Sequence, residues 1–251
     1  MTLDIIQHPL LAGTQHGFFG RSGGASSGVY SGLNCGFGSS DQREIVQINR
    51  TRVAAALDLD VTQLVGVHQV HSADSVAVNA PHAQAPKADA MVTATKGIAL
   101  GILTADCQPV LFADKKAGVI GAAHAGWKGA LHGVLDATVA QMESLGAARA
   151  NIVAVIGPSI SQVNYEVGPE FRNSFVAAHA EYTKFFVAGK DDRFQFDLPA
   201  FGLHRLNQIG IGNAAWTGHC TYADAKRFYS YRRSVHLKQA DYGRLIATIR
   251  L

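Results

Sequence analysis

Charge is scarce in this sequence: Asp, Glu, Lys and Arg make up 16% of its 251 residues, against 47% apolar ones. Such a composition excludes an intrinsically disordered chain, and the length suffices to bury a substantial core. No block of Lys and Arg accompanies the formal charge of +3, which argues against nucleic acid as a partner. The most basic stretch, Lys226-Arg227 with Arg232-Arg233, is interleaved with Phe228, Tyr229 and Tyr231. That pattern can bind single strands, but one such segment more often lines a small-molecule anion pocket or simply packs. Cysteine is equally sparse: Cys35, Cys107 and Cys220 are odd in number and far apart, which does not make a disulfide framework. No uninterrupted apolar run approaches the ~18 residues of a membrane span, and residues 1–11 lack the basic and apolar segments of an export signal. The expectation is a cytoplasmic, monomeric enzyme of a small molecule, with no membrane partner. Without repeats, low-complexity tracts or linkers, residues 1–251 read as one mixed α/β (α+β) domain. Mixed sheets flanked by helices would carry a site at strand ends.

What is present is concentrated between Ile98 and Met142. Apolar runs Ile98–Leu103 and Val110–Phe112 flank Asp106-Cys107, and Asp114-Lys115-Lys116-Ala117-Gly118 has the chemistry of a tight reversal before a return strand at Val119–Ala123. A fold-back symmetric about the Lys115–Lys116 bond sets Cys107 opposite His124. Directly opposed Cβ atoms lie roughly 4.5–5.5 Å apart, a spacing that suits a thiolate and an imidazole on one zinc ion. Pro109 cannot donate to a ladder, so an edge position or a break is expected there. A cysteine after an apolar strand is otherwise a small core residue. The segment Gly66-Val67-His68-Gln69-Val70-His71-Ser72 offers a third candidate, His71. His68 and His71 are three apart and on a strand would face opposite sides, so only one of them can join a common site. Two histidines and one cysteine leave a tetrahedral ion with an open position, the pattern of a catalytic zinc.

Elsewhere, the loop Gly20-Arg21-Ser22-Gly23-Gly24-Ala25-Ser26-Ser27-Gly28 reads either as an ordinary surface loop or as an anion cradle. Asp41-Gln42-Arg43-Glu44 resembles a capping box opening a helix through Leu57, with Arg50 as a solvated side chain or an anion ligand. Strands are expected at Leu64–Val70 and Ser75–Val78, a connector at His82–Lys87, and a turn role for Asp89 in preference to a hydrogen-bond acceptor behind the metal. Gly126-Trp127-Lys128-Gly129 starts one helix stopped by Gly146, and a strand at Asn151–Ile156 then implies a parallel crossover. Helices follow at Gly168-Pro169 and from Asp197-Leu198-Pro199 to near Gly210, with a final strand at Arg244–Leu251. Lys184–Asp197 holds no obvious motif.

Together HGFFGRSGG, GVYSGLNCG, INR, VHQVHS, ADAMVT, LTADCQPVL, HAGWKG, IGPSI and FYSYRR resemble the laccase-domain family. It is also called the peptidoglycan-editing-factor or multicopper polyphenol oxidase family and has purine nucleoside phosphorylase-like members. The likeness covers nearly the whole chain. Ser72 stands where the family often has Gly, and Lys128 where it often has Arg. The resemblance implies a zinc site at His71, Cys107 and His124. It also implies purine nucleoside chemistry: phosphorolysis of adenosine, inosine and methylthioadenosine, and adenosine deamination. Arg21, Ser22 and Arg50 are the candidate phosphate ligands, and His68 is a proton shuttle or a structural histidine. Two other activities belong to the same likeness. One is a cytoplasmic hydrolase editing amino acids in peptidoglycan precursors, with Cys107 as nucleophile, His124 as base and Asp106 or another acid orienting the imidazole. The other is a copper-dependent polyphenol oxidase, for which one cluster offers few ligands.

Overall fold

A computed structural model describes residues 2–82 and 84–251. Met1, and Ala83 within the expected connector, lie outside the described residues. Two sheets pack face to face. The larger orders its strands β13 (Asn213–Trp216), β9 (Val153–Ile156), β7 (Gln108–Asp114), β8 (Val119–Ala125), β5 (Ala90–Thr93) and β4 (Ser75–Ala77). The other runs β1 (Ile5–Ile6), β2 (Gln15–Phe19), β14 (Leu245–Arg250), β6 (Ala99–Thr104) and β3 (Leu64–Val65).

Strand alternation explains why the larger sheet reads as unbroken apolar runs. Val110 and Phe112 of β7, Ala123 and Ala125 of β8, and Ile156 of β9 face helices α3 (Val134–Ser144) and α5 (Leu198–Ile209). Leu111, Ala113, Ile120, Ala122 and Val155 face the other way, onto Phe18, Leu100, Ile102 and Ile249 of the second sheet. Both faces are buried, so both parities are hydrophobic. Helix α1 (Arg43–Ala55) closes the far side of the second sheet through Val53 and Ala54. The result is a mixed α/β fold of helix, sheet, sheet and helix layers.

Several local expectations are corrected. The helix after β8 is two helices, α2 (Trp127–His132) and α3, because Gly133 at φ 98° breaks the run in the left-handed region. The capping box at Asp41 does not form. The cap is Gln42 without a side-chain bond, while the Asp41 carboxylate accepts from Ser26 Oγ and Asn34 Nδ2. The strand at Leu64 stops at Val65. β8 and β9 are parallel as the crossover requires, but β7 lies between them, antiparallel to both. Lys184–Asp197 contains β11 (Phe186–Ala188) and β12 (Phe194–Phe196), which with β10 (Glu166–Val167) form a small third sheet. Its Phe186 and Phe196 pack with Phe171 and Phe175 of α4 (Pro169–Ala178). The capped start at Asp197 is present: its carboxylate accepts from Ala200 N at 2.9 Å, and α5 ends at Gly210 in the left-handed region.

Candidate metal centre

Cys107 and His124 do not stand opposite one another. The register pairs Asp114 with Val119 and Pro109 with His124, two residues away from the symmetric expectation. The turn is four residues long because Asp114 stays in the strand, its carboxylate accepts from Lys116 N and Ala117 N, and Gly118 takes φ 65°. Pro109 therefore takes the place opposite His124, and Cys107 lies two residues before it, in the bend between β6 and β7. Pro109 lies inside the sheet, not at an edge. Its carbonyl accepts from Gly157 N just beyond β9, and with no N–H to return that bond the β7–β9 ladder ends at Val110 and Ile156.

Cys107, just before β7, and His124 of β8 meet the third candidate ligand there. One ligand atom from each of His71, Cys107 and His124 lies within 4.8 Å of the others. The rings of His71 and His124 meet edge to face, 4.8 Å between centroids. Backbone strain marks the approach on both sides: His71 has φ 61° and Asp106 has φ 86°. Gly126 leaves the space between them, since a Cβ there would lie 3.0 Å from Cys107 Sγ and 3.1 Å from His71 Cδ2.

Asp89 is an acceptor behind the ligands and not a turn residue. It is fully buried, its Oδ1 accepts from His124 Nδ1 at 2.7 Å, and its Oδ2 accepts from Val70 N at 3.1 Å and Ser72 N at 2.6 Å. One carboxylate therefore orients His124 through its ring and His71 through the peptides on either side. With Nδ1–H committed to Asp89, Nε2 of His124 is left for an ion. Asp106, expected as a possible orienting acid, does something else. It is buried and accepts from Thr221 Oγ1, Ser230 Oγ and Arg232 N, tying the Cys107 loop to α6 (Tyr231–His236).

The electrostatics follow from these contacts. Burial opposes ionisation of Cys107, but the charge of His124 and hydrogen bonds from His124 and His71 outweigh it and bring the thiol below its usual range, to about 7. Burial likewise opposes charge on His124, yet Cys107 and Asp89 hold its proton and raise it. A thiolate with two imidazoles at this spacing is a donor set suited to zinc.

Two cavities meet at His71, Ala105 and Cys107. The first, about 620 Å³, is lined by Arg43, Arg50 and Arg244 together with His68 and His82, and by no described Asp or Glu. Arg50 is fixed by the carbonyls of Cys35 and Leu64 at 3.3 and 3.5 Å. Arg43 and Arg244 had no sequence signal of their own, since 201 positions separate them in the chain. Arg21 and Ser22 line neither cavity. The Arg21 guanidinium donates to the carbonyls of Ser31 and Ala225 and stacks over Tyr229, so it braces the loop instead of cradling an anion at this site.

Residues 15–251 match the family model described as multi-copper polyphenol oxidoreductase laccase. The chain belongs to that laccase-domain family. Within it, the chain is 42% identical to a Deinococcus radiodurans protein named purine nucleoside phosphorylase, covering 99% of this chain and 93% of the relative. It is 35% identical to purine nucleoside phosphorylase YfiH of Escherichia coli, over 85% of this chain and 86% of that one. The crystal structure of Neisseria meningitidis protein NMB0706 superposes with a TM-score of 0.90 at 32% identity, covering 100% of this chain and 99% of that one. No helix among the described residues is long and apolar enough to cross a membrane.

Proposed function

We propose that this laccase-domain protein is a zinc-dependent purine nucleoside phosphorylase acting on adenosine, inosine and methylthioadenosine, with a secondary adenosine deaminase activity. The observation that carries the reading is the cluster of His71, Cys107 and His124, side chains that could hold one metal ion, opening onto a cavity lined with arginine and histidine and free of described carboxylates. Relatives named purine nucleoside phosphorylase along nearly the whole chain support it. His71, Cys107 and His124 would hold the ion, which supplies Lewis-acid polarisation and a water acidified towards about pH 7.

The residues of the chain do the rest. Arg50, with Arg43 and Arg244, presents planar donors to phosphate, whose charge they hold beside the centre. His68 lines the same cavity, where it can take up or return a phosphate proton. In phosphorolysis a phosphate oxygen bonds to C1′ as the C1′–N9 bond breaks. The electron pair leaves with the purine, which takes up one proton. In deamination, water adds at C6 and ammonia departs.

A second reading rests on one observation: Cys107 Sγ lies beside His124, whose Nδ1 donates to Asp89, the order of nucleophile, base and orienting acid. It would serve a hydrolase editing amino acids in peptidoglycan precursors. Copper-dependent phenol oxidation is the least supported, because the described residues hold one group of three ligands. Metal-quantified protein incubated with adenosine, with and without phosphate, separates these. Adenine released only with phosphate is the expected result, and inosine shows deamination. Neither product, or full activity after complete metal removal, overturns the proposal and leaves the cysteine hydrolase.

A further inference from the structure

The second cavity differs in chemistry from the first. It encloses about 680 Å³ and is walled by the rings of Trp127, Tyr165, Phe171 and Tyr231. Cations lie over aromatic rings in both: Arg43 and Arg50 lie 4.6 and 5.3 Å from the centre of Phe37 and Arg244 lies 4.1 Å from that of Tyr242 in the first cavity, and Lys128 Nζ lies 5.5 Å from the centre of Trp127 in the second. In the second, Tyr231 is 51% exposed. Hydrogen bonds leave the Tyr165 hydroxyl unpaired among the described residues. The wall is also held in place. Asp106 fixes Ser230 Oγ and Arg232 N, and the Arg232 guanidinium donates to the Glu166 carbonyl while lying 5.3 Å from the centre of Tyr165.

Resting on the phosphorolysis reading, we infer that this second cavity is the subsite for the flat heteroaromatic base, while the arginine cavity takes the anion. The bond to be broken then lies where the two cavities join, at His71 and Cys107. Ring faces stack on a base regardless of its substituents, which suits a site accepting several purines. The Tyr165 hydroxyl supplies one directional hydrogen bond to a ring nitrogen. Asp106 acts here as a positioning residue, because it anchors both the cysteine loop and the segment carrying Tyr231.

Trp127 reports occupancy directly, since the sequence has two tryptophans and Trp216 sits in β13, outside the cavity lining. Adenine titrated into the full-length Trp216→Phe protein is expected to quench Trp127 fluorescence saturably. Tyr231→Ala, at an exposed position that tolerates truncation, should weaken this binding about tenfold, the usual scale for one lost ring–base stack. Tyr165→Phe should weaken it too, and saturating inorganic phosphate should leave the adenine titration in place. Absence of quenching, displacement of adenine by phosphate, or unchanged binding to Tyr231→Ala overturns the assignment. Turnover is a separate readout: protein that binds adenine in this way yet releases none from adenosine with phosphate keeps the subsite and rejects the phosphorylase.

Discussion

Replacing Asp89 with asparagine is expected to loosen the metal centre while leaving the fold in place. Three hydrogen bonds end on this carboxylate, from His124 Nδ1, Val70 N and Ser72 N, and an amide offers one oxygen where the carboxylate offers two. If that oxygen serves the two backbone donors, the new NH₂ faces His124 Nδ1, which must then accept, and the ring proton moves to Nε2, where the ion would bind. If the amide turns round, its NH₂ meets two N–H donors. Either arrangement should lower zinc affinity about 10–100-fold, or about 1.4–2.7 kcal/mol. Asp89→Ala removes the acceptor altogether and strands a buried His124, at a cost of about 3–5 kcal/mol in the metal-free protein. Competition titration against a chromophoric zinc chelator reads the first effect, and urea unfolding of the metal-free protein reads the second. An Asn variant that holds zinc as tightly as the wild type would refute the reasoning. Acid acts on the same carboxylate. Burial opposes its ionisation, but hydrogen bonds from His124 and Ser72 prevail and hold it at about 2, against an ordinary 3.8. Because the folded value is the lower one, its contribution to stability is complete above about pH 4 and is lost as pH falls towards 2.

Other residues give sharper single readouts. Gly126→Ala puts a methyl group between Cys107 and His71 and should reduce zinc affinity about tenfold or more with little change in far-UV circular dichroism. In the metal-free protein, iodoacetamide alkylation of Cys107 followed by mass spectrometry should titrate near pH 7, below the ordinary 9, and His124→Asn should return it upwards. Burial pushes Cys35 up to about 12, so that thiol should stay unlabelled in the same experiment. Gly157→Ala drives a methyl group into the Phe18 ring between the two sheets, which should cost about 1–3 kcal/mol by overpacking. Thermal unfolding should show that loss while zinc binding is retained.

The parts legible in the sequence are those written locally. Asp197-Leu198-Pro199 specifies the start of α5 because the cap, the proline and the apolar face lie within one turn. The alternation of β7 and β8 gives two opposed faces without any long-range information. The three candidate ligands come together despite the wrong register, because Pro109 stands opposite His124 and Cys107 lies only two residues before it. What was not legible depends on distant partners. Asp89 looks like a turn residue until Val70, Ser72 and His124 come to it from other elements. His68 does not continue a strand past Val65, and both it and His71 border the same cavity. The arginine lining joins α1 to the start of β14, a pairing no local pattern announces. Arg21 carried the same residue chemistry as Arg50, and backbone carbonyls hold both guanidinium groups, but Arg50 lines the first cavity and Arg21 lines neither.

The shared ion is tested most directly by cobalt substitution. Metal-free wild type titrated with Co²⁺ should take up one ion per chain and develop a near-ultraviolet thiolate-to-cobalt band, with tetrahedral d–d absorption in the visible. Cys107→Ser should lose the thiolate band while remaining folded, and His71→Ala and His124→Ala should each weaken cobalt binding. A wild-type protein that takes up no cobalt, or a Cys107→Ser variant whose spectrum matches the wild type, would contradict a centre built from these three side chains.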